Sequence, residues 1–428
     1  DTNLSQYAQA DGDDILFVDT DDTTKLAHEI ELWNSTSGRL VAWVKIPKLR
    51  NNTNYNITMY FNNSVASNQQ NRTGTWNLNY SAVYHLNDTQ WSDSTSNAYN
   101  GVPTEVNEPT VNLSGMIDSA NNFNGTAGGP GTGSAINTSL PLTSLDDGTG
   151  LTVSFWAYDT ISSGWRWVLG ENSNQSGGYW FIGRSNNGDY LHFGWQNVLN
   201  AVDYTNVTIV QNQWFFLTIT WDGTTGTDGV KIYKNGTQIS SATAFGTGFF
   251  TSRLMNIGCR GGYEVCNEYW TGMIDEVRIS NTTRSAGWIL TEFNNVNNMA
   301  IFHSVGALES QTVADTQAPQ WFTPSTNNTN PAIGDFVRHN VNWTDETALS
   351  FANLEVNGTG ASCATSANVT NATISGTSSW SNLTWQIPNA CEGKAIGWRQ
   401  YANDTSNNWN VTGLQSYQVQ NINPVANF

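Results

Sequence analysis

Charged side chains are scarce in this chain, and basic ones are the scarcest. Charged residues make up 12% of its 428 positions, and 17 Lys and Arg stand against 35 Asp and Glu, which gives a net charge of −18. The basic residues are scattered singly, so the chain lacks the electrostatic footprint of nucleic-acid binding. An anionic membrane surface would not attract it either. Acidic, lysine-poor surfaces suit divalent cations, neutral glycans or simple solubility.

Long apolar runs are also missing. No stretch reaches the length that spans a bilayer, and no secretory signal is present. The chain starts at Asp1 without Met and ends on Asn-Phe, with no anchor. We therefore expect a processed or partial segment of a longer exported protein, with no direct membrane insertion.

Cysteine is rare, with four residues in two local pairs. Cys259 and Cys266 form one pair, and Cys363 and Cys391 form the other. Neither has the CxxC spacing of zinc or redox sites, and no CxxCH haem motif occurs. An even count in an exported chain predicts two disulfides made in an oxidising compartment.

The N-linked glycosylation sequon Asn-x-Ser/Thr is abundant by contrast, with about two dozen copies. This is about double the number expected by chance for such a composition. An Asn- and Thr-rich β protein could produce sequons by accident, but we favour a heavily glycosylated extracellular protein at a cell surface. The predicted acceptors are Asn34, Asn56, Asn71, Asn87, Asn112, Asn124, Asn206, Asn235, Asn281, Asn342, Asn357, Asn368, Asn371, Asn382, Asn403 and Asn410.

Short alternating apolar runs bounded by Gly, Asn and Asp predict an all-β chain. Residues 39–46 and 214–221 are examples, and Lys234-Asn235-Gly236 predicts a hairpin turn. The one helix of note is predicted over residues 285–295. Changes in composition divide the chain into three tandem β-sandwich or jelly-roll modules, at residues 1–75, 76–309 and 310–428.

Four motifs mark the first module: residues 10–17, 25–31, 41–47 and 59–63. In this order they resemble the β domain known as domain of unknown function 2341 (DUF2341). Members normally have further strands upstream, so the resemblance implies that the N-terminal strands of the sandwich are missing here. Such a module exposes unpaired backbone and apolar surface. Either the sequence is truncated, or another segment supplies the missing strand.

The second module carries a longer set of motifs, including residues 82–87, 93–101, 151–157, 213–216 and 272–280. The set resembles a laminin-G-like, concanavalin-A-like jelly roll. This resemblance implies the fold and leaves the function open, because lectins, adhesion modules and structural spacers share it.

The third module opens with residues 315–319 and has a strand-and-turn motif at residues 401–408. Both resemble the immunoglobulin-like (Ig-like) or fibronectin-like modules of prokaryotic surface proteins. The order of the three modules, with dense sequons, resembles a large archaeal surface protein.

A structural calcium site is predicted at Asp93 and Asn97, in a loop of oxygen ligands, together with Asp275. Calcium takes several hard oxygens, and jelly rolls of this kind often carry one such ion. The alternative is that Asp93 and Asn97 stabilise a turn through their own backbone, and that Asp275 pairs with Arg278 or caps a hairpin.

A carbohydrate site is predicted from aromatic residues near predicted loops, because flat rings stack on sugars. The candidates are Trp165, Trp167, Tyr179, Trp180, Trp195 and Tyr263. Trp156, Trp214 and Trp221 lie in apolar runs and are predicted core residues. The loop between Cys259 and Cys266 could present Arg260 and Tyr263 to a ligand, although we favour a staple that stiffens a hairpin.

Catalysis is not predicted. Asp275 and Glu276 are adjacent, so we expect their side chains on opposite faces of a strand, where they cannot act as a glycosidase pair. No nucleophile-elbow, zinc-protease or phosphate-loop motif occurs, and the five His lack metal-ligand spacing.

Two main hypotheses for function remain. In the first, identical subunits form a homopolymer, an extracellular filament or surface layer, by exchange of β-strands at the incomplete first module. In the second, the chain is a carbohydrate-binding adhesin module that neighbours other domains of a longer protein. An accessory module of an enzyme is a third reading.

Overall fold

A computed structural model describes residues 2–50, 53–76, 79–103, 107–125, 132–145, 150–161, 164–171, 180–186, 190–195, 199–244, 246, 253–261, 268–309, 314–358, 363 and 365–421. Strands account for 46% of the structure and helices for 9%, which confirms the all-β prediction. The chain divides into two compact units, residues 1–308 and 309–428. The first two predicted modules therefore share one unit.

The first module has few and short elements: α1 Thr2–Tyr7, β1 Leu16–Val18, β2 His28–Asn34, β3 Arg39–Val44, β4 Thr58–Tyr60 and α2 Arg72–Thr75. Strand β1 pairs with β4 and β2 pairs with β3, both antiparallel, as two separate two-stranded sheets. Three apolar residues between them are buried, Ile15, Phe17 and Leu26.

The jelly roll follows, with strands β5 Tyr80–Tyr84, β6 Gly101–Pro103, β7 Thr110–Asn112, β8 Ala120–Phe123, β9 Ile136–Pro141, β10 Leu151–Asp159, β11 Arg166–Glu171, β12 Phe181–Arg184, β13 Tyr190–Trp195, β14 Leu199–Thr208, β15 Trp214–Trp221, β16 Gly226–Lys234, β17 Thr237–Ala244, β18 Leu254–Ile257 and β19 Gly272–Ser280. A 3₁₀ helix spans Leu142–Leu145, and helices α3 Ala286–Asn297 and α4 Met299–Phe302 follow β19.

Two sheets enclose the jelly-roll core. One has the order β17-β16-β15-β10-β19-β8-β7, with β5 also paired to β19, and the other has the order β14-β13-β12-β11-β18-β9-β6. Alternate residues of facing strands, such as Phe155, Ile274 and Phe193, meet in a continuous apolar core. This period-two alternation is what lets each strand bury one face.

The outer face of the eight-stranded sheet is covered in turn. Trp156 on this face packs with Ile289 of α3, and Val41 and Trp43 of β3 pack against the same cluster. Strand β3 thus contacts the jelly roll with one face and the core of the first module with the other. The first module is docked on this sheet.

The third module is a separate β-sandwich with strands β20 Gln320–Thr326, β21 Phe336–Thr344, β22 Leu349–Gly358, β23 Thr365–Thr373, β24 Ser378–Gln386, β25 Ala395–Asp404, β26 Trp409–Val411 and β27 Gln415–Gln418, and a 3₁₀ helix Asn389–Cys391. Its sheets have the orders β20-β21-β24 and β23-β22-β25-β26, with β27 also paired to β25. Trp343 and Trp398 lie in its core.

Within the described residues, no helix has both the length and the apolar character needed to cross a membrane.

Candidate functional site

The predicted carbohydrate platform does not form as expected. Trp167, Trp180 and Trp195 are each 1% exposed, so these three candidates cannot offer a ring face to a sugar at the surface. Trp180 and Trp195 lie between the two sheets of the jelly roll. The reason is the alternation of these strands, which turns both indoles inward. Tyr179 and Tyr263 lie outside the described residues.

Trp165 and Trp167 instead belong to a ring cluster on the outer face of the seven-stranded sheet. Trp165 is half-buried and stacks on Trp167, with ring centroids 5.7 Å apart. The ring of His192 lies 4.5 Å from Trp165 and stacks on Phe181 at 5.2 Å. The guanidinium of Arg260 lies 4.3 Å from the Phe181 ring. We call Trp165, Trp167, Phe181, His192 and Arg260 the outer ring cluster.

Strand register brings the outer ring cluster together. Trp167 pairs with Gly183, and Gly183 pairs with His192 on the next strand. Gly194 lies beside Phe181, and a Cβ at this position would be 2.3 Å from the Phe181 ring. Sequence reasoning missed Phe181 and His192. Their signal is the alternation of glycine with aromatic residues along β12 and β13.

The predicted calcium loop is a hydrogen-bonded turn. The carboxylate of Asp93 accepts from the backbone N–H groups of Val83, Thr95 and Tyr99 at 2.9–3.0 Å, and from the Thr95 hydroxyl at 2.8 Å. Asn97 donates to a backbone carbonyl at 2.9 Å. These bonds occupy both oxygens of Asp93, so the turn-forming alternative accounts for the residue, and we propose no calcium ion there.

Asp275 lies elsewhere and is fully buried. Its Oδ2 accepts from the backbone N–H groups of Met116 and Ile117 at 2.8 and 3.2 Å, and its Oδ1 has no hydrogen-bond partner. Among the described residues, neither Asp93 nor Asp275 belongs to a group of His, Cys, Asp or Glu side chains close enough to share an ion. The Asp93–Asn97 loop and Asp275 make separate sets of hydrogen bonds, and a calcium ion shared by these three residues stays a prediction.

A bulge in β19 changes where Glu276 points. Glu276 has φ +52°, and the pairing of β10 with β19 shifts register between Ser154 and Trp156. Two residues of β19 thus oppose one of β10, as in a β-bulge. Asp275 pairs with Trp156 on the outer face, and Glu276 bonds to Arg278 on that same face. The expectation that Asp275 and Glu276 face opposite sides is wrong.

The bulge completes a set of buried charged residues between the first module and the jelly roll. Nδ1 of His85 lies 2.7 Å from Glu276 and 3.4 Å from Glu31, and its Nε2 lies 3.3 Å from Glu29. Arg278 lies 2.5 Å from Glu276 and stacks on the indole of Trp43 at 4.2 Å. We call Glu29, Glu31, His85, Glu276 and Arg278 the docking cluster. None of its members was predicted as a site residue.

Other hydrogen bonds hold the docking cluster in place. Trp43 Nε1 donates to Glu31 at 2.6 Å, and Trp76 Nε1 donates to Glu29 at 2.7 Å. The hydroxyl of Ser94 donates to Glu29 at 2.8 Å. Buried charges need this degree of pairing, because an unpaired one would be expelled or neutralised.

The pKa values of three side chains in the docking cluster are shifted from their ordinary values. Burial, with the charge of Glu276, raises the pKa of Glu31 to about 8. Burial alone would lower the pKa of His85, but Glu276 and Glu31 raise it well above 6.5. Burial opposes ionisation of Glu276, yet His85 and Arg278 lower its pKa below 4.5. The cluster thus favours a protonated imidazole beside an ionised Glu276.

The arrangement suits docking better than chemistry. The side chains of Glu31, Glu276 and His85 are 0%, 1% and 8% exposed, so a substrate would have no access to them. Glu31, His85 and Glu276 offer ligand atoms within 4.8 Å of one another, as metal ligands would. However, the cation of Arg278 lies against Glu276, and Nδ1 of His85 is already hydrogen-bonded to Glu276 at 2.7 Å. The cluster therefore joins two domains.

The cysteines follow the predicted pairing where the structure describes them. Cys363 and Cys391 form a disulfide in the core of the third module. Cys259 is disulfide-bonded and buried, and Cys266 lies outside the described residues.

The predicted glycan acceptors differ in exposure. Seven are exposed and five are half-buried, whereas the side chains of Asn206, Asn357 and Asn368 are not described. Asn403 is 8% exposed and its amide donates to Asn407 at 3.3 Å. A glycan acceptor must be reachable, so Asn403 is not the exposed acceptor we expected. The exposed seven are Asn34, Asn56, Asn71, Asn124, Asn235, Asn371 and Asn382.

Two family models match this chain. Residues 11–97 match domain of unknown function 2341, and residues 130–290 match the laminin-G type of the concanavalin A-like lectin/glucanases superfamily. The chain therefore contains a DUF2341 domain and a concanavalin A-like domain. The DUF2341 match extends beyond residue 75 and includes β5 and His85, the residue that follows β5. The Ig-like character of the third module stays a prediction.

Solved structures share parts of the fold. Domain 4 of AbnA, an extracellular GH43 arabinanase from Geobacillus stearothermophilus, is 22% identical, with 49% of this chain and 96% of that chain covered and a TM-score of 0.36. The binding domain of botulinum neurotoxin DC is 12% identical, with 76% and 73% covered and a TM-score of 0.37. Trypanosoma rangeli sialidase is 12% identical, with 54% and 35% covered and a TM-score of 0.35. These similarities carry no argument about activity or ligand. A comparison with curated proteins finds no match.

Proposed function

We propose that this chain is a non-catalytic, N-glycosylated extracellular protein of the cell surface. In this proposal it builds a filament or surface layer, and a β-strand from a second copy pairs with β3 of its first module. The observation that supports the proposal is the open edge of β3. Among the described strands, β3 pairs with β2 alone.

The backbone edge of β3 has little of the usual protection beyond its first residue, Arg39, and a bulge between Ile30 and Leu32 of its partner β2. Natural edge strands carry charges, proline or bulges that prevent further pairing. Residues Leu40 to Val44 include no proline and no charged residue. The flanking Arg39 is held by Asp118 at 2.7 Å. An incoming strand would therefore find a row of free donors and acceptors between apolar side chains.

Both faces of β3 are apolar and incompletely covered. Residues Leu40 to Val44 are all half-buried. Leu40, Ala42 and Val44 pack on the core of the first module, in which three apolar residues are buried and ten others stay half-buried. On the opposite face, Val41 and Trp43 pack against the jelly roll. One added strand with apolar side chains on both faces would cover both regions.

A contact of this type determines the form of the assembly. The donor strand and the acceptor edge are different surfaces, so the interface is heterologous and gives an open polymer unless its rotation closes a ring. The exposed sequon residues would carry glycans along the sides of such a polymer. The disulfides and the sequons support an extracellular location for this polymer.

Hydrogen exchange of the assembled and the dissociated protein tests the proposal. We expect the amides of Leu40 to Val44 to exchange at least about tenfold more slowly in the assembled state. The amides of Gly101 and Val102 in the edge strand β6 provide the internal control and should exchange at the same rate in both states. A protein that stays monomeric, or β3 amides with unchanged exchange, would overturn the proposal.

Carbohydrate binding by the concanavalin A-like domain is a second candidate function. The outer ring cluster favours it, because Trp165 and His192 are half-buried rather than buried and the guanidinium of Arg260 lies over the Phe181 ring of the same cluster. A glycan array, with and without calcium, should then show binding that Trp165→Ala removes. Trp380→Ala, at a 51% exposed indole of the third module, is the matched control.

A further inference from the structure

Three aspartates converge at one end of the third module. Asp315 lies in the segment before β20, Asp345 directly follows β21, and Asp404 is the last residue of β25. Each offers one carboxylate oxygen, and these oxygens lie within 4.8 Å of one another. Asp345 and Asp404 are 7% and 1% exposed. Three like charges are thus gathered where solvent screens them poorly.

The hydrogen bonds around these aspartates leave one buried carboxylate oxygen, Oδ2 of Asp345, without a donor. The hydroxyl of Thr347 lies 2.6 Å from Oδ2 of Asp315 and 2.8 Å from Oδ1 of Asp345. The hydroxyl has one hydrogen and can donate to one of these two oxygens at a time, while the backbone N–H of Thr347 donates to Oδ1 of Asp345 at 3.0 Å. Oδ2 of Asp345 is buried and has no hydrogen-bond partner at all. An unsatisfied, nine-tenths buried carboxylate oxygen indicates a missing positive ligand.

The other hydrogen bonds to these aspartates come from uncharged donors. Asn408 donates its backbone N–H and its amide to Asp404 at 2.9 and 2.8 Å, and the N–H of Gln317 donates to Asp315 at 3.0 Å. Among the ion pairs of the described residues, none involves Asp315, Asp345 or Asp404. The charge of three carboxylates is therefore not balanced by a basic side chain there.

We propose that Asp315, Asp345 and Asp404 bind one Ca²⁺ ion. All three offer hard oxygen ligands, which Ca²⁺ prefers, and the set contains no nitrogen or sulfur ligand for zinc or copper. The ion would accept a loose arrangement of carboxylates and waters, whereas Mg²⁺ demands near-ideal octahedral geometry. It would also tie the segment before β20 to the turns that follow β21 and β25.

Titration of the full chain with CaCl₂ after chelator treatment tests this site, with calorimetry and terbium luminescence as readouts. We expect one site in the third module, with a dissociation constant on the order of 0.1–1 mM, as in other extracellular modules. Asp345→Asn and Asp404→Asn should each weaken binding at least about tenfold. Asp335→Asn is the matched control, because Asp335 is exposed and bonds to Ala332 in the same module.

A variant at the half-buried Asp315 separates loss of calcium binding from loss of folding. It lies outside the strands, so Asp315→Asn should weaken calcium binding while circular dichroism and the unfolding temperature without calcium stay unchanged. Wild-type protein that shows no calcium-dependent heat, luminescence or rise in unfolding temperature would overturn the proposal. Binding that is equal in wild type and in all three variants would do the same.

Discussion

Nδ1 of His85 lies 2.7 Å from Oε1 of Glu276, and this contact joins the DUF2341 domain to the concanavalin A-like domain. Both side chains are almost fully buried. Glu276 reaches His85 because the bulge in β19 turns it to the outer face of the sheet. The stability of the first unit should therefore depend on the protonation states of the docking cluster.

The unfolding free energy of the first unit is predicted to fall as the pH rises from about 4.5 to about 8. The pKa of Glu31 is raised from 4.5 to about 8, so the native state holds a proton that the unfolded state has released. The raised pKa of His85 acts in the same direction above about 6.5. Below about 4.5 the lowered pKa values of Glu29 and Glu276 act in the opposite direction, because the unfolded state then binds the protons that these groups release in the native state.

The variant Glu31→Gln isolates the contribution of Glu31 to this pH dependence. The glutamine keeps an acceptor for Trp43 and removes the titration, so we expect a flatter pH profile and a gain on the order of 1–3 kcal/mol at pH 8. Calorimetric unfolding from pH 5 to pH 9 measures it. Glu355→Gln, in the more exposed pair with Arg399, is the control and should leave the first unit unchanged. A variant with the wild-type pH profile would contradict the prediction.

Removal of Arg278 should loosen the docked first module. Its guanidinium pairs with Glu276 and with Glu292 at 3.0 Å, and it also stacks on Trp43. Arg278→Leu leaves these carboxylates buried without their cation, which costs about 3–5 kcal/mol. Thermal unfolding and protease cleavage near residues 71–76 would report the loss.

An exposed arginine provides the comparison for Arg278. Arg399→Leu removes a pair of which the arginine side chain is 41% exposed, and such pairs contribute about 0–1 kcal/mol. If both variants unfold at the wild-type temperature, the docking cluster does not hold the domains together.

Asp93 should matter for stability whether or not calcium is present. Asp93→Asn removes an ionised acceptor from four hydrogen bonds at a buried turn, and we expect a loss of about 2–4 kcal/mol. Unfolding measured with calcium and with chelator should give the same difference between variant and wild type. A difference that appears with calcium alone would instead restore the calcium site predicted from the sequence.

Local sequence signals predicted the elements of the fold well. The turn at Asn235 and Gly236 has φ values of +51° and +77° and joins β16 to β17, as the Asn-Gly pair predicts. Helix α3 begins after Ser285, whose side chain accepts from the N–H of Trp288, and it ends two residues beyond the predicted end. Such signals depend on neighbours in sequence, so the sequence alone carries them.

The candidate sites depended on information that a single sequence does not contain. Which face of a strand an indole occupies depends on register, so Trp180 and Trp195 could not be assigned from their position near predicted loops. The bulge at Glu276 reverses the inside-outside pattern of β19 and carries no proline or glycine to mark it. Glu31 and His85 meet because the first module docks on the jelly-roll sheet, a contact between residues 54 positions apart.

A single charge on β3 should block assembly without unfolding the subunit. Leu40→Lys places an ammonium group on the open edge, where it must be desolvated when a strand is added, although its flexible stem can reach water in the free subunit. We expect polymers to disappear while circular dichroism keeps the β signature. Val102→Lys puts the same charge on β6, another edge strand, at a 53% exposed position, and should leave assembly intact. Electron microscopy and sedimentation measure how much polymer each variant forms. Polymers of Leu40→Lys as abundant as wild type would show that strand addition at β3 does not build the assembly, and equal loss in both variants would point to a general effect of charge.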